Sequence, residues 1–162
     1  NVRELTDKQL SHIRNKQIGF IFQGYNLIPE LTALENVELP LIYQGIGPGK
    51  RQELAQRALE RVGLGSRGGH RPSEMSGGQQ QRVAIARAIS TSPPIIMADE
   101  PTGALDSKTG QEVLAFLQQL NREGSTVILI THDNGIAATA RRIVRVSDGK
   151  IVEDHAQEVD WL

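Results

Sequence analysis

Ile95-Ile96-Met97-Ala98-Asp99-Glu100 decides the fold: an apolar run delivered straight into two acids, with Pro93-Pro94 just upstream. A short apolar run bounded by turn residues predicts a buried strand, and the two carboxylates mark its carboxyl end. Two similar runs lie far away in the chain, Gln17-Ile18-Gly19-Phe20-Ile21-Phe22 and Thr126-Val127-Ile128-Leu129-Ile130-Thr131. Helical segments separate them. Ser76 is placed to N-cap a helix reaching about Ile89. Asp106 or Ser107 caps another, whose apolar face is Val113, Phe116, Leu117 and Leu120 and whose C-terminal end is marked by Gly124. Buried strands alternating with helices predict an α/β fold around a parallel sheet.

Outward from this frame, Leu5 to Arg14 reads as a helical approach to the first strand. From Tyr25 to Ser73 the pattern changes, and Pro29, Pro40, Gly45, Gly47, Pro48 and Gly49 break it into short pieces. Helices are predicted between them, over Thr32–Leu39 and Lys50–Val62. In the second, Leu54, Ala58 and Val62 recur on one face. Downstream of the third strand come a helix around Ile136–Ala140 and two short strands, Ile143–Val146 and Ile151–Glu153. Asp148-Gly149 joins these as a two-residue hairpin turn. The expected organisation is one domain, with α/β core parts at 1–24 and 74–157, a helical insertion at 25–73 and a tail at 158–162.

Composition narrows the partners. With a formal net charge of -1 over 162 residues, nothing suggests a basic surface for nucleic acid. There is no cysteine, so disulfides and thiolate metal sites are excluded. No apolar run approaches the length of a bilayer span, so a membrane role requires a partner. The chain opens on Asn1 in a polar stretch, which reads as a cut edge.

In open α/β sheets ligands bind beyond the carboxyl ends of the strands. Gln23 follows the first predicted strand, Asp99 and Glu100 end the second, and His132 follows the third. Taken singly, Gln23 is a turn residue and His132 a loop residue. Their shared placement makes them one candidate site. Asp99 can hold Mg²⁺, directly or through water, and Glu100 beside it can polarise an attacking water. Met75-Ser76-Gly77-Gly78-Gln79 supplies a second feature: small residues opening directly into a helix, whose first N–H groups suit a phosphate.

The run from Met75 through Gln80-Gln81-Arg82-Val83-Ala84-Ile85-Ala86-Arg87-Ala88 into Ile95–Glu100 resembles the ABC ATPase family. Met75-Ser76-Gly77-Gly78-Gln79 is similar to its signature motif, with Met75 in place of the usual leucine. The resemblance covers nearly the whole chain. It implies a P-loop NTPase (RecA-like) core, here partial, with the inserted helical subdomain that receives a permease's coupling helix. By the same resemblance Gln23 is the Q-loop glutamine that touches Mg²⁺, and Asp99 is the Walker B aspartate. Glu100 is the catalytic glutamate, Ala104-Leu105-Asp106 the D-loop, and His132 the switch histidine at the γ-phosphate. Ser76, Gly77, Gly78 and Gln79 would grip ATP held by a second ATP-binding subunit, in a head-to-tail dimer. Ile18–Gln23, Asn26–Pro29, Leu31–Val37 and Ala98–Ser107 resemble the macrolide-export and lipoprotein-release class. Membership implies an ATPase with ATP and Mg²⁺, working beside a transmembrane permease at the cytoplasmic face of a bacterial membrane.

One element of the family is not in the sequence. A P-loop needs Gly-x-x-x-x-Gly-Lys followed by Ser or Thr. Gly49-Lys50 is followed by Arg51, and Gly149-Lys150 by Ile151. The expectation is therefore a chain truncated ahead of its Q-loop, inactive alone, with an open sheet edge. A non-catalytic remnant that binds a partner cassette or permease is the alternative. A soluble ATPase acting on ribosomes or DNA ends fits less well, since there is one cassette half and no sustained heptad.

Overall fold

The computed structural model describes residues 4–159. Residues 160–162 of the expected tail, and the expected cut edge at Asn1, lie outside them. The elements run α1 Asp7–Gln17, β1 Ile18–Phe22, α2 Ala33–Tyr43, α3 Pro48–Arg61, α4 Gly77–Ile89, β2 Ile95–Asp99, α5 Ser107–Arg122, β3 Thr126–Ile130, α6 Asn134–Ala137, β4 Arg142–Ser147 and β5 Lys150–Ala156. Short 3₁₀ turns at Gly65–Arg67 and Pro72–Glu74 lead into α4.

Local signals explain most boundaries. Thr6, Thr32 and Ser76 each cap a helix reciprocally with the Gln or Glu three residues on. Asp106, rather than Ser107, caps α5. Asp148 and Gly149 both have positive φ, 50° and 72°, as a tight hairpin turn requires, and β4 pairs antiparallel with β5 around them. The helix expected at Ile136–Ala140 is shorter and starts earlier, because the Asp133 side chain accepts from the Gly135 and Ile136 N–H groups. Pro40 does not end α2, contrary to the sequence expectation. Val37 and Leu41, one turn apart, are both fully buried, and their packing carries the helix past the lost N–H to Tyr43.

β1, β2 and β3 form a parallel sheet in that order. Gly19, Ile96 and Val127 lie in one register row, and Ile21, Ala98 and Leu129 in another on the same face. Ile21, Ile96 and Ala98 join Val83, Ile85 and Ala86 of α4 and Val113 and Leu117 of α5 in the main core, with Val127 and Leu129 partly buried against it. α4 sits so close that a Cβ on Gly19 would lie 2.3 Å from the Ala88 carbonyl oxygen. Gly19→Ala should therefore cost about 1–3 kcal/mol through overpacking. The check is a lower urea midpoint with an unchanged denaturant slope.

The opposite face departs from the expectation of buried strands. Phe22, Ile128 and Ile130 are exposed, and Phe20 stacks on Phe22 at 5.9 Å between ring centroids. Among the described residues α4 and α5 cover one face only. α2 and α3 extend the covered side: Val37, Leu41, Ala55 and Leu59 belong to the same core. Asn36, also fully buried, fixes the loop ahead of α2. Its Oδ1 accepts from the Ile28 N–H at 2.8 Å, and its Nδ2 donates to the carbonyls of Ile28, Leu31 and Thr32.

Candidate functional site

The parallel register puts Phe22, Asp99 and Ile130 side by side at the carboxyl edge of the sheet. Gln23, Glu100 and the Thr131-His132 pair are the next residues on the three strands. Asp99 is exposed there. Glu100 leaves the strand with φ of 44°, a conformation non-glycine residues adopt at some cost. Its own N–H still donates to the Ile130 carbonyl at 2.9 Å, and its carbonyl accepts from the Gly103 N–H at 3.1 Å.

Glu100 and His132 meet directly. One Glu100 oxygen accepts from the His132 backbone N–H at 2.8 Å and lies 2.6 Å from His132 Nδ1; the other accepts from Thr131 Oγ1 at 3.2 Å. Burial works to raise the Glu100 pKa, but the bonds from His132 and Thr131 outweigh it and hold the carboxyl below its ordinary value. An ionised carboxylate only accepts, so Nδ1 carries the proton in this pair and Nε2 remains for a second partner. The His132 side chain is 88% exposed and that of Glu100 18%. The acid is thus recessed and the imidazole presented outward.

Gln23 joins from the neighbouring strand. Its amide lies over Gly103, where a Cβ would come within 2.6 Å of Gln23 Nε2. The turn after Glu100 and the turn after β1 are therefore in contact. For Mg²⁺ the available donors are the Asp99 carboxylate and the Gln23 amide oxygen. Mg²⁺ is typically bound through one or two carboxylates plus phosphate oxygens and waters, so this pair fits it. Among the described residues no cluster of three or more His, Cys, Asp or Glu side chains could hold a metal ion unaided.

Ser76, Gly77, Gly78 and Gln79 form a second group at the start of α4. Ser76 Oγ accepts from the Gln79 N–H at 3.3 Å, and Gln79 Oε1 accepts from the Ser76 N–H at 3.0 Å. The N–H groups of Gly77 and Gly78 have no acceptor within the helix. Both glycines also have packing reasons. A Cβ on Gly78 would sit 2.7 Å from Thr109 Cγ2, and one on Gly77 3.0 Å from the Tyr25 hydroxyl. Asp106 lies next to this group through Thr109, whose N–H and hydroxyl it accepts at 3.0 and 2.6 Å. The hydroxyl bond and then the N–H bond lower the Asp106 pKa. No hydrogen bond among the described residues joins Ser76 or Gln79 to Glu100 or His132.

The sequence reading passed over three residues that tie these parts together. Thr131 supports Glu100. Gln81, fully buried on α4, donates to the Pro101 carbonyl at 2.7 Å. Arg87, also on α4, donates to the carbonyls of Tyr25 and Asn26. The available signal was a polar side chain in a helix otherwise rich in small apolar residues. Beside Arg87 opens an apolar groove of about 1060 Å³, bounded by α1, β1 and the ends of α2 and α4 and lined in part by Phe20, Phe22, Pro40 and Tyr43.

Comparison with known proteins places this architecture. The chain is 53% identical over 161 residues to the macrolide export ATP-binding/permease protein MacB of Burkholderia thailandensis, covering 97% of the chain and 25% of that protein. It is 54% identical over 152 residues to the uncharacterized ABC transporter ATP-binding protein YknY of Bacillus subtilis, covering 94% of the chain and 66% of YknY. It thus spans about a quarter of the export protein and about two thirds of YknY. The dimeric ADP- and phosphate-bound structure of the ATP-binding cassette MJ0796 superposes with a TM-score of 0.82 at 47% identity, over 94% of the chain and 68% of that cassette. The ABC transporter family itself matches residues 1–103. Strand-end acids on a parallel sheet, a glycine-rich helix start and these likenesses agree: the chain belongs to the ABC transporter family.

Proposed function

We propose that the whole protein carrying this chain binds and hydrolyses ATP and drives a membrane permease in export or lipoprotein release. The observation that carries the reading is the convergence of Gln23, Asp99, Glu100 and His132 at one sheet edge, with Glu100 ionised and hydrogen-bonded to an outward-facing imidazole. In this reading water attacks the γ-phosphorus, the bond to the β–γ bridging oxygen breaks, and ADP and phosphate leave. Glu100 orients and polarises the water. His132, through Nε2, meets the γ-phosphate and stabilises the charge that develops there. Asp99 and Gln23 would hold Mg²⁺, which would neutralise phosphate charge. Ser76, Gly77, Gly78 and Gln79, with Asp106 beside them, would face a nucleotide held by a second cassette. The dimeric state of the MJ0796 cassette supports that arrangement.

The permease is proposed to dock on segment 25–73, acting as a helical subdomain. No helix among the described residues is long and apolar enough to cross a membrane. Relatives are named for the export of macrolides, syringafactin and pyoverdine. Export and an ATP-binding/permease make-up are what those names share, and the reading puts this chain's work at the cytoplasmic face of the membrane. The test is Mg-ATP turnover by the whole protein beside the 162-residue chain. The whole protein should turn over, while the chain alone, with no P-loop lysine in its sequence, should stay at background. Robust hydrolysis by the chain alone would overturn this account of the site, and no hydrolysis by the whole protein would favour the non-catalytic alternative.

A further inference from the structure

We infer that Arg87 is a positioning residue for Gln23: it clasps the loop that follows β1 and makes that loop and α4 move as one body. Its Nη1 donates to the Asn26 carbonyl at 2.6 Å and its Nη2 to the Tyr25 carbonyl at 2.8 Å. Both loop residues are non-glycine with positive φ, 61° and 49°, and such backbone persists only where its surroundings over-determine it. The other bonds of Tyr25 and Asn26 are short-range, from the Tyr25 N–H to the Phe22 carbonyl and from the Asn26 N–H to the Gly24 carbonyl, and buried Asn36 holds the same loop only further on, at Ile28. Arg87 is thus the side chain that ties the Tyr25 and Asn26 carbonyls to α4. The Tyr25 hydroxyl meanwhile covers Gly77, at the opposite end of α4. The loop therefore touches both ends of one helix and is hydrogen-bonded at the Arg87 end.

The chemistry suits arginine. Among the described residues no carboxylate pairs with Arg87, so its donors are committed to two adjacent carbonyls. A planar fork spans both, whereas a lysine ammonium is a single point donor. Burial also lowers the guanidinium pKa, consistent with a group recessed under the loop. Gln23 lies two residues before Tyr25, against Gly103. Releasing the loop would therefore loosen the Gln23 amide without touching Asp99, Glu100 or His132.

The kinetic part of the test rests on the proposed ATPase reading; the structural part does not. Arg87→Lys is made in the whole protein, with Arg87→Gln as a second variant should the lysine fail to fold. Hydrogen exchange is followed at the amides of residues 23–27 and of α4. We expect exchange in the loop to rise roughly tenfold, the scale of one lost hydrogen bond, while α4 is unchanged. Unchanged loop protection would overturn the clasp, whatever the ATPase does. Turnover is then measured in a cycle with Gln23→Ala. Arg87→Lys alone should lower kcat roughly tenfold with KM little changed, and should have no further effect once Gln23 is alanine. Additive losses would show that Arg87 supports the fold in general and would overturn its role in positioning Gln23.

Discussion

Glu100→Gln in the whole protein should slow ATP hydrolysis by at least about a hundredfold, the scale of a lost general base. ATP affinity should be unchanged, and the ATP-bound dimer should persist. The geometry makes this substitution a clean one. The glutamine Oε1 can still accept from the His132 N–H and hold the residue in its turn. What disappears is the carboxylate charge and its ability to draw a proton from water. The imidazole would lose its ionised partner yet keep its place, because Thr131 and the β3 backbone fix the loop from the other side. Single-turnover hydrolysis beside nucleotide binding gives the answer. A variant that hydrolyses at the parental rate would remove Glu100 from the chemistry.

Ser76→Arg should abolish ATP-driven dimerisation and hydrolysis while leaving ATP binding by the monomer intact. Losing the cap costs only about 0.5–2 kcal/mol, and the well-buried α4 tolerates that. The larger effect is at the surface. An arginine puts a bulky cation at a helix N-terminus, where the dipole disfavours positive charge, and it crowds the exposed N–H groups of Gly77 and Gly78. Sedimentation with and without ATP, beside nucleotide affinity of the monomer, separates the possibilities. If the monomer loses affinity while dimerisation per bound ATP is unchanged, the motif serves its own subunit and the head-to-tail arrangement is wrong.

Much of this site was legible because its residues are marked locally. Strand ends place Gln23, Asp99, Glu100 and His132 without any tertiary information, and Ser76 and Asp106 announce themselves as caps. The contacts between Glu100 and the Thr131-His132 pair were less visible, since register across two strands decides them. Arg87 and Gln81 show in the sequence only as polar residues on a helix rich in small apolar ones, without their roles. Their partners are backbone carbonyls of distant loops, and a carbonyl leaves no trace in residue identity. Pro40 misled because propensity is local, while Val37 and Leu41 hold α2 through packing. The all-apolar Val127-Ile128-Leu129-Ile130 could not reveal which face helices would cover.

The parallel register has a consequence for how the chain is made. Ile18 pairs with Ile95, so β1 leaves the ribosome long before the strand it needs. α2 and α3 emerge in between, but Val37, Leu41 and Leu59 share their core with Val83 and Ile85 of α4, so this layer cannot close either. Only when α4 and β2 are out can strands and helices settle together. Until then Ile21, buried in the finished core, waits as exposed nascent chain, the situation in which sheets of high contact order fold slowly and invite chaperones. The β4–β5 hairpin is free of that delay, because both its strands arrive within a few residues of each other.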